Sequence, residues 1–184
     1  IERVVFLSSG LLVTLCAFIF SLQSTRQRQA LEHMAIHDPL TQALNRRAFD
    51  IDLAATLQAH QSSQSPCTLA IIDMDHFKSV NDTFGHEVGD ELLIEMVRTL
   101  RSHQHQQDRL YRFGGEEFVA VLPGMDAQQA LQVAEAVRLR IQQTPVDNNG
   151  RGIHLSASNG VHTATGERAT PEDVIRLADE ALYR

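Results

Sequence analysis

Nineteen uncharged residues, VVFLSSGLLVTLCAFIFSL from Val4 to Leu22, lie near the start of the chain. At about 1.5 Å per residue they make roughly 28 Å of helix, close to the ~30 Å hydrocarbon core of a bilayer. The run carries no polar stripe, which argues against a helix buried in a soluble core, and SLQSTRQRQ behind it is a poor signal-peptide cleavage site. A transmembrane helix is therefore expected within residues 1–22. Arg26 and Arg28 follow it, and the positive-inside tendency then puts the C-terminal portion in the cytoplasm. Residues 23–37 read as a polar linker helix with Leu31, Met34 and Ala35 on one side. Such a segment either pairs with its copy in a dimer or simply connects.

Beyond residue 37 the pattern changes to short apolar runs alternating with amphipathic ones. Asn45–Ala59 reads as a helix, Gln61–Pro66 as a loop, and Thr68–Ile72 as a strand ending in Asp73-Met74-Asp75. Val88, Leu92, Met96 and Leu100 recur at i, i+4, widened by Leu93 and Val97, and mark the next helix. Leu110–Phe113 and Phe118–Leu122 flank Gly114-Gly115-Glu116-Glu117 as a hairpin. Asp126 caps a helix carrying Ala130, Val133, Ala134, Val137 and Ile141. Ile153–Val161 reads as the last long strand, and Thr170-Pro171-Glu172-Asp173 opens the final helix. Without its leading helix the order is β-α-β-β-α-β, an α+β, ferredoxin-like arrangement with a central antiparallel sheet. Its first and third strands are neighbours, which brings Asp73 beside Glu116 and Glu117.

Composition narrows the classes. The 184 residues are 43% hydrophobic and 21% charged, as in a globular domain with an appendage. A formal charge of −7 argues against binding a nucleic-acid polymer, though not against one nucleotide held through a cation. Cys16 and Cys67 show no metal-ligand spacing and no disulfide framework. His37, His60, His103, His105, His154 and His162 are scattered without ligand spacing and read mostly as surface residues. The chain runs from Ile1 to Arg184 and is read as a piece of a longer protein.

The candidate chemistry lies in the acids. Asp73, Asp75, Glu116 and Glu117 crowded at one sheet edge repel one another unless a cation compensates; otherwise they are a solvated strand end and hairpin tip. Hard oxygen ligands with few histidines select Mg²⁺ or Mn²⁺, and two such ions suit in-line displacement at phosphorus. Gly114 and Gly115 let backbone approach a ligand closely. Lys78 can meet phosphate as a point charge, helped by loop amides preceding a helix. Asn81 and Asp90 could separate guanine from adenine, the carboxylate accepting from guanine N1 and N2 hydrogens with an amide beside it.

DMDHFKSVNDTFGHEVGDELL (Asp73 to Leu93) together with RFGGEEF (Arg112 to Phe118) resembles the GGDEF-domain diguanylate cyclases. HDPLTQALNRRAF (His37 to Phe49), SNGV (Ser158 to Val161) and ADEALY (Ala178 to Tyr183) are similar to that family's other segments, so the likeness covers about residue 37 to the end, and residues 38–184 are expected to form the domain. The resemblance implies a bacterial enzyme that condenses two GTP into cyclic di-GMP as a homodimer; with the run at 4–22 it is expected at the inner membrane, its catalytic domain in the cytoplasm. It implies two Mg²⁺ or Mn²⁺ ions per site, held by Asp73, Glu116, Glu117 and the Met74 carbonyl, with Glu117 as an alternative acceptor of the 3′-hydroxyl proton. It implies guanine contacts from Asn81 and Asp90, support from His86, and phosphate contacts from Lys78 and the backbone of His76, Phe77, Gly114 and Gly115. Three departures stand out. His105 takes the arginine position of the family's inhibitory Arg-x-x-Asp, while Asp108 is kept, so weak or absent product inhibition is expected. The sequence stops just before a lysine and an arginine that usually grip the phosphates. Asn159 takes a normally apolar place in the last strand, at an edge or a bulge. The competing function is a catalytically silent domain that binds GTP or cyclic di-GMP and transmits a signal. A third reading, another cyclase or a polymerase-palm-like nucleotidyltransferase, would need a different base pocket.

Overall fold

The computed structural model describes residues 18, 20–23, 35–101, 109–143, 145–148, 150–164 and 169–183. The chain divides into two units, Ile1–Ile36 and His37–Arg184. In the first, residues 18, 20–23 and 35–36 are helical, and Phe18, Phe20 and Leu22 are exposed. Most of the expected transmembrane run at 4–22 and of the linker helix at 23–37 lies outside the described residues. Among those described, no helix is long and apolar enough to cross a membrane.

In the second unit β1 (Leu44–Asn45) leads into α1 (Arg46–Ser63), followed by β2 (Cys67–Met74), α2 (Phe77–Phe84), α3 (His86–Arg101), β3 (Arg109–Gly114) and β4 (Glu117–Pro123). The chain continues through α4 (Ala127–Gln143), β5 (Val146–Asn148), β6 (Arg151–Ile153), β7 (Ala157–Thr163) and α5 (Pro171–Leu182). Local side chains set several boundaries. Asn45 Oδ1 accepts from the Ala48 N–H at 3.0 Å and starts α1, which runs past its expected end at Ala59 to a left-handed Gln64. Asp126 and Gln129 cap α4 reciprocally, each side chain accepting the other's backbone N–H at 2.9 and 3.1 Å. Thr170 accepts from the Asp173 N–H ahead of Pro171, as the sequence predicts for α5.

The main sheet has the order β1-β3-β4-β2-β7. β2 is antiparallel to both β4 and β7, which is the expected ferredoxin-like centre, and the two-residue β1 adds a parallel edge beside β3. Two expectations are corrected. The last strand is not Ile153–Val161: Ile153 ends β6, which pairs with β5 in a separate hairpin, and β7 begins at Ala157. The segment holding Lys78, expected as a loop before a helix, is itself the helix α2, separated from α3 by Gly85 at φ +90°.

Alternation along β2 and β4 feeds two cores, one on each sheet face. Ile72, Met74 and Phe118 pack with Leu92, Leu93, Met96 and Val97 of α3 and Val137 and Ile141 of α4. Leu69, Ile71, Val119 and Val121 pack with Phe49, Leu53 and Leu57 of α1 and Val174 and Ala178 of α5. β7 is the far edge strand, in regular register with no bulge at Asn159, which stands opposite Ile72. Asn159 Nδ2 donates to the Ala134 carbonyl of α4 at 2.8 Å, which accounts for a polar residue at this position, although its Oδ1 is buried without a partner. The next residue, Gly160, lets α5 lie directly on the strand, since a Cβ there would come within 2.1 Å of the Ala178 carbonyl oxygen.

One aromatic cluster joins α1 to β3. The fully buried Phe49 ring meets Tyr111 at 5.3 Å and Phe113 at 5.4 Å, both edge-on, and the Arg46 guanidinium lies 4.3 Å from the centre of Phe113. Tyr111 donates its hydroxyl to Asp52 of α1 at 2.9 Å, which removes the cost of burying it. Replacing Phe49 with alanine should cost about 3–5 kcal/mol of unfolding free energy in denaturant titration; a loss under about 1 kcal/mol would show that α1 is not held through this ring.

Candidate active site

The acids come together because of strand register. In the β2–β4 ladder Asp73 stands opposite Glu117, one step beyond Ile72–Phe118. Directly opposed residues of an antiparallel pair share a face, so both carboxylates lie on the side of the sheet that carries Ile71 and Val119. Glu116 sits in the turn just before β4. The electrostatic consequence falls on Asp73. Burial, then the charges of Glu116, Glu117 and Asp75 in that order, push its carboxyl up from 3.8 to about 6. Asp75 is engaged differently: Ser158 of β7 donates to it at 2.7 Å, and its own N–H reaches the Ser156 carbonyl. Met74 turns its side chain into the core, leaving only its backbone for any role at the surface.

The ion pairs among the described residues use Asp38, Asp52, Glu95, Glu135, Asp173 and Glu180; none reaches Asp73, Glu116 or Glu117. Nor is any group of three or more His, Cys, Asp or Glu side chains among the described residues arranged to hold a metal ion by itself. The donor chemistry nevertheless fits a hard divalent cation. Such an ion takes one or two carboxylates and completes its shell with water and substrate phosphates, and it would relieve the repulsion that raises Asp73.

The turn carrying the acids is held from behind. Gly115 adopts φ +49°, and neither Gly114 nor Gly115 has any atom within 4 Å of where a Cβ would stand, so the backbone here is open to a ligand. Arg112 donates to the Gly115 carbonyl through Nε at 3.0 Å and through its terminal nitrogen at 2.8 Å. Its other terminal nitrogen pairs with Asp38 at 2.9 Å, with both side chains largely buried. Asp38 also accepts from the Thr41 N–H at 2.8 Å and hydroxyl at 2.7 Å. Burial alone would raise the Asp38 carboxyl, but the Thr41 and Arg112 hydrogen bonds outweigh it and the net shift is downward. Asp38, Thr41 and Arg112 were not among the sequence candidates. The available signal was an Asp-x-x-Thr turn and a charged residue inside an otherwise apolar strand.

The remaining candidates lie on α2 and α3. His76, in a left-handed conformation at φ 57°, precedes α2 and makes no side-chain cap, so the first-turn N–H groups of Phe77 and Lys78 stay open to another acceptor. The Phe77 side chain is buried, whereas Lys78 is exposed and joins none of the ion pairs above. Asn81 is half-buried on α2, while His86 and Asp90 are exposed on the first turns of α3. His105 and Asp108 of the altered inhibitory motif lie outside the described residues.

A family model described as diguanylate cyclase, GGDEF domain, matches residues 35–184. The chain belongs to this family. Among curated relatives, the response regulator PleD of Caulobacter vibrioides is 36% identical over 162 residues, covering 85% of this chain and 36% of PleD. The diguanylate cyclase DgcM of Escherichia coli is 35% identical over 170 residues, covering 92% of this chain and 40% of DgcM. The chain thus spans two fifths or less of these relatives. Of solved structures, the diguanylate cyclase SiaD from Pseudomonas aeruginosa, in complex with its activator SiaC, gives a TM-score of 0.79 at 33% identity, covering 93% of this chain and 65% of that one. The GGDEF domain of DgcB from Caulobacter crescentus, in complex with c-di-GMP, gives 0.77 at 28% identity, covering 81% and 86%.

In this GGDEF domain the raised Asp73 carboxyl makes a stability prediction. A group whose folded pKa lies above its unfolded value helps folding below the unfolded pKa and opposes it once the pH exceeds the folded one. Asp73→Asn should therefore stabilise the metal-free domain by ~1–2 kcal/mol at pH 7.5, the penalty being screened by solvent, and the gain should vanish below about pH 4. Urea denaturation with chelator present checks this; a destabilised variant at pH 7.5 would mean that Asp73 is not under repulsion.

Proposed function

We propose that the domain condenses two GTP into cyclic di-GMP, releasing two pyrophosphates. The observation carrying this reading is the register that sets Asp73 opposite Glu117 with Glu116 alongside, and the resulting rise of Asp73 to about 6. Such a concentration of negative charge is costly unless it serves to gather cations. Bound there by Asp73, Glu116 and the Met74 carbonyl, Mg²⁺ or Mn²⁺ would supply charge neutralisation at the triphosphate and ease ionisation of the attacking hydroxyl, which leaves Glu117 free to take the proton.

The protein's own groups have distinct tasks in this reading. Asn81 and Asp90 hold guanine, with His86 beside them. Lys78 and the open N–H groups at the start of α2 hold phosphate oxygens, as a helix N-terminus does for anions. The exposed backbone at Gly114 and Gly115 lets the triphosphate come close to the turn. Glu117 accepts the 3′-hydroxyl proton; the oxygen then forms its bond to the α-phosphorus of the second GTP, and the bond to pyrophosphate breaks. The same step, repeated with the nucleotides exchanged, closes the ring. Each domain holds one GTP, so a homodimer supplies the facing pair and the gain from proximity. The run at 4–22, followed by Arg26 and Arg28, favours anchoring in the inner membrane with this domain in the cytoplasm.

Glu117→Gln should lower cyclic di-GMP formation from GTP and Mg²⁺ by about 10²–10⁴-fold while leaving GTP binding and the melting temperature near wild type. Nucleotide chromatography and calorimetry read both. In the same assay, submicromolar cyclic di-GMP should not inhibit, because the His105 imidazole lacks the guanidinium fork. A wild-type dimer that binds GTP without making product would instead support the silent signalling domain.

A further inference from the structure

α2 and α3 meet at one point where a side chain is missing. A Cβ on Gly89 would lie 1.9 Å from Asn81 Oδ1, 3.0 Å from its Cγ and 3.2 Å from Phe77 Cζ. Gly89 is buried, and the Asn81 side-chain oxygen Oδ1 fills the space that any other residue would occupy. That oxygen is buried and accepts no hydrogen bond, a cost of about 1–3 kcal/mol that is retained in the fold. An orphaned acceptor next to a helix-interior glycine is doubly unfavourable. Glycine in such a position weakens a helix by about 1 kcal/mol relative to alanine. Two local penalties at one contact suggest that the contact serves something other than stability.

We infer that Gly89 is a positioning residue: the niche over its Cα seats the Asn81 amide and fixes which end of it faces the base pocket. With Oδ1 lodged against Gly89, Asn81 presents Nδ2 outward as a donor. Asp90, the next residue along, presents an exposed carboxylate as an acceptor. The two helices together therefore offer one donor and one acceptor to a purine edge, a polarity that guanine can match with a ring or carbonyl acceptor and its N1–H. A methyl group at position 89 displaces this arrangement selectively. The Phe77 ring is buried in the core and gives little, whereas the Asn81 amide is the free end of a side chain and turns away. The inference rests on the cyclase reading for the identity of the base, but the seat itself does not.

The test is a double-mutant cycle of Gly89→Ala and Asn81→Ala in the dimeric enzyme. Gly89→Ala should raise the KM for GTP about tenfold with kcat within about twofold, and leave the melting temperature unchanged or higher. In the Asn81→Ala background, where nothing occupies the niche, the same substitution should change KM less than twofold. Independently of nucleotide, the Asn81 side-chain amide resonances should move in the free Gly89→Ala protein. Equal KM effects in both backgrounds, or Asn81 resonances that do not move, would overturn the inference. A wild-type enzyme that neither binds nor turns over GTP would sink the cyclase reading instead, and the resonances would still decide the seat.

Discussion

The candidate site depends on one interaction, the antiparallel register of β2 against β4. Every pair from Cys67–Pro123 to Asp73–Glu117 follows in step, and the buried alternation of Leu69, Ile71, Val119 and Val121 on one face holds it there. A slip of one residue would move each of these side chains to the other face. The hydrophobic cores thus fix which face the two acids share, although neither acid contributes to burial. Repulsion at the end of the ladder is tolerated because six further ladder pairs and two packed faces lie behind it.

Register alone would leave the turn loose. The Arg112 guanidinium ties the Gly115 carbonyl to Asp38, which is itself held by Thr41. The segment that leads into the domain is in this way bonded to the backbone carrying Glu116. The pair is largely buried and the guanidinium is shared with a carbonyl, so it restrains geometry more than an exposed ion pair would. Glu116 and Glu117 therefore follow a backbone carbonyl that Arg112 braces.

Much of this was legible in the chain. The period-2 and period-3.6 patterns gave the order of the main elements, and with it the neighbourhood of Asp73 and the two glutamates. Capping chemistry at Asp126 and Thr170 was equally local and appears as read. What could not be read was tertiary. Gly89 looks like a helix weakness until Asn81 is found on top of it. Arg112 looks like a misplaced charge until Asp38 and the Gly115 carbonyl are found around it. Ile153 looked continuous with the last strand because apolar residues persist through Leu155, yet both are buried outside the main sheet. Asn159 seemed to contradict its strand until the Ala134 carbonyl supplied its partner.

The most direct measurement is a ¹³C NMR titration of the Asp73 carboxyl carbon, first in the free domain and then with Mg²⁺ and a non-hydrolysable GTP analogue. The midpoint should lie near 6 in the free domain, driven by burial and by Glu116, Glu117 and Asp75, and fall clearly once the cation and triphosphate are present. A midpoint at the ordinary 3.8 that ignores both additions would contradict this.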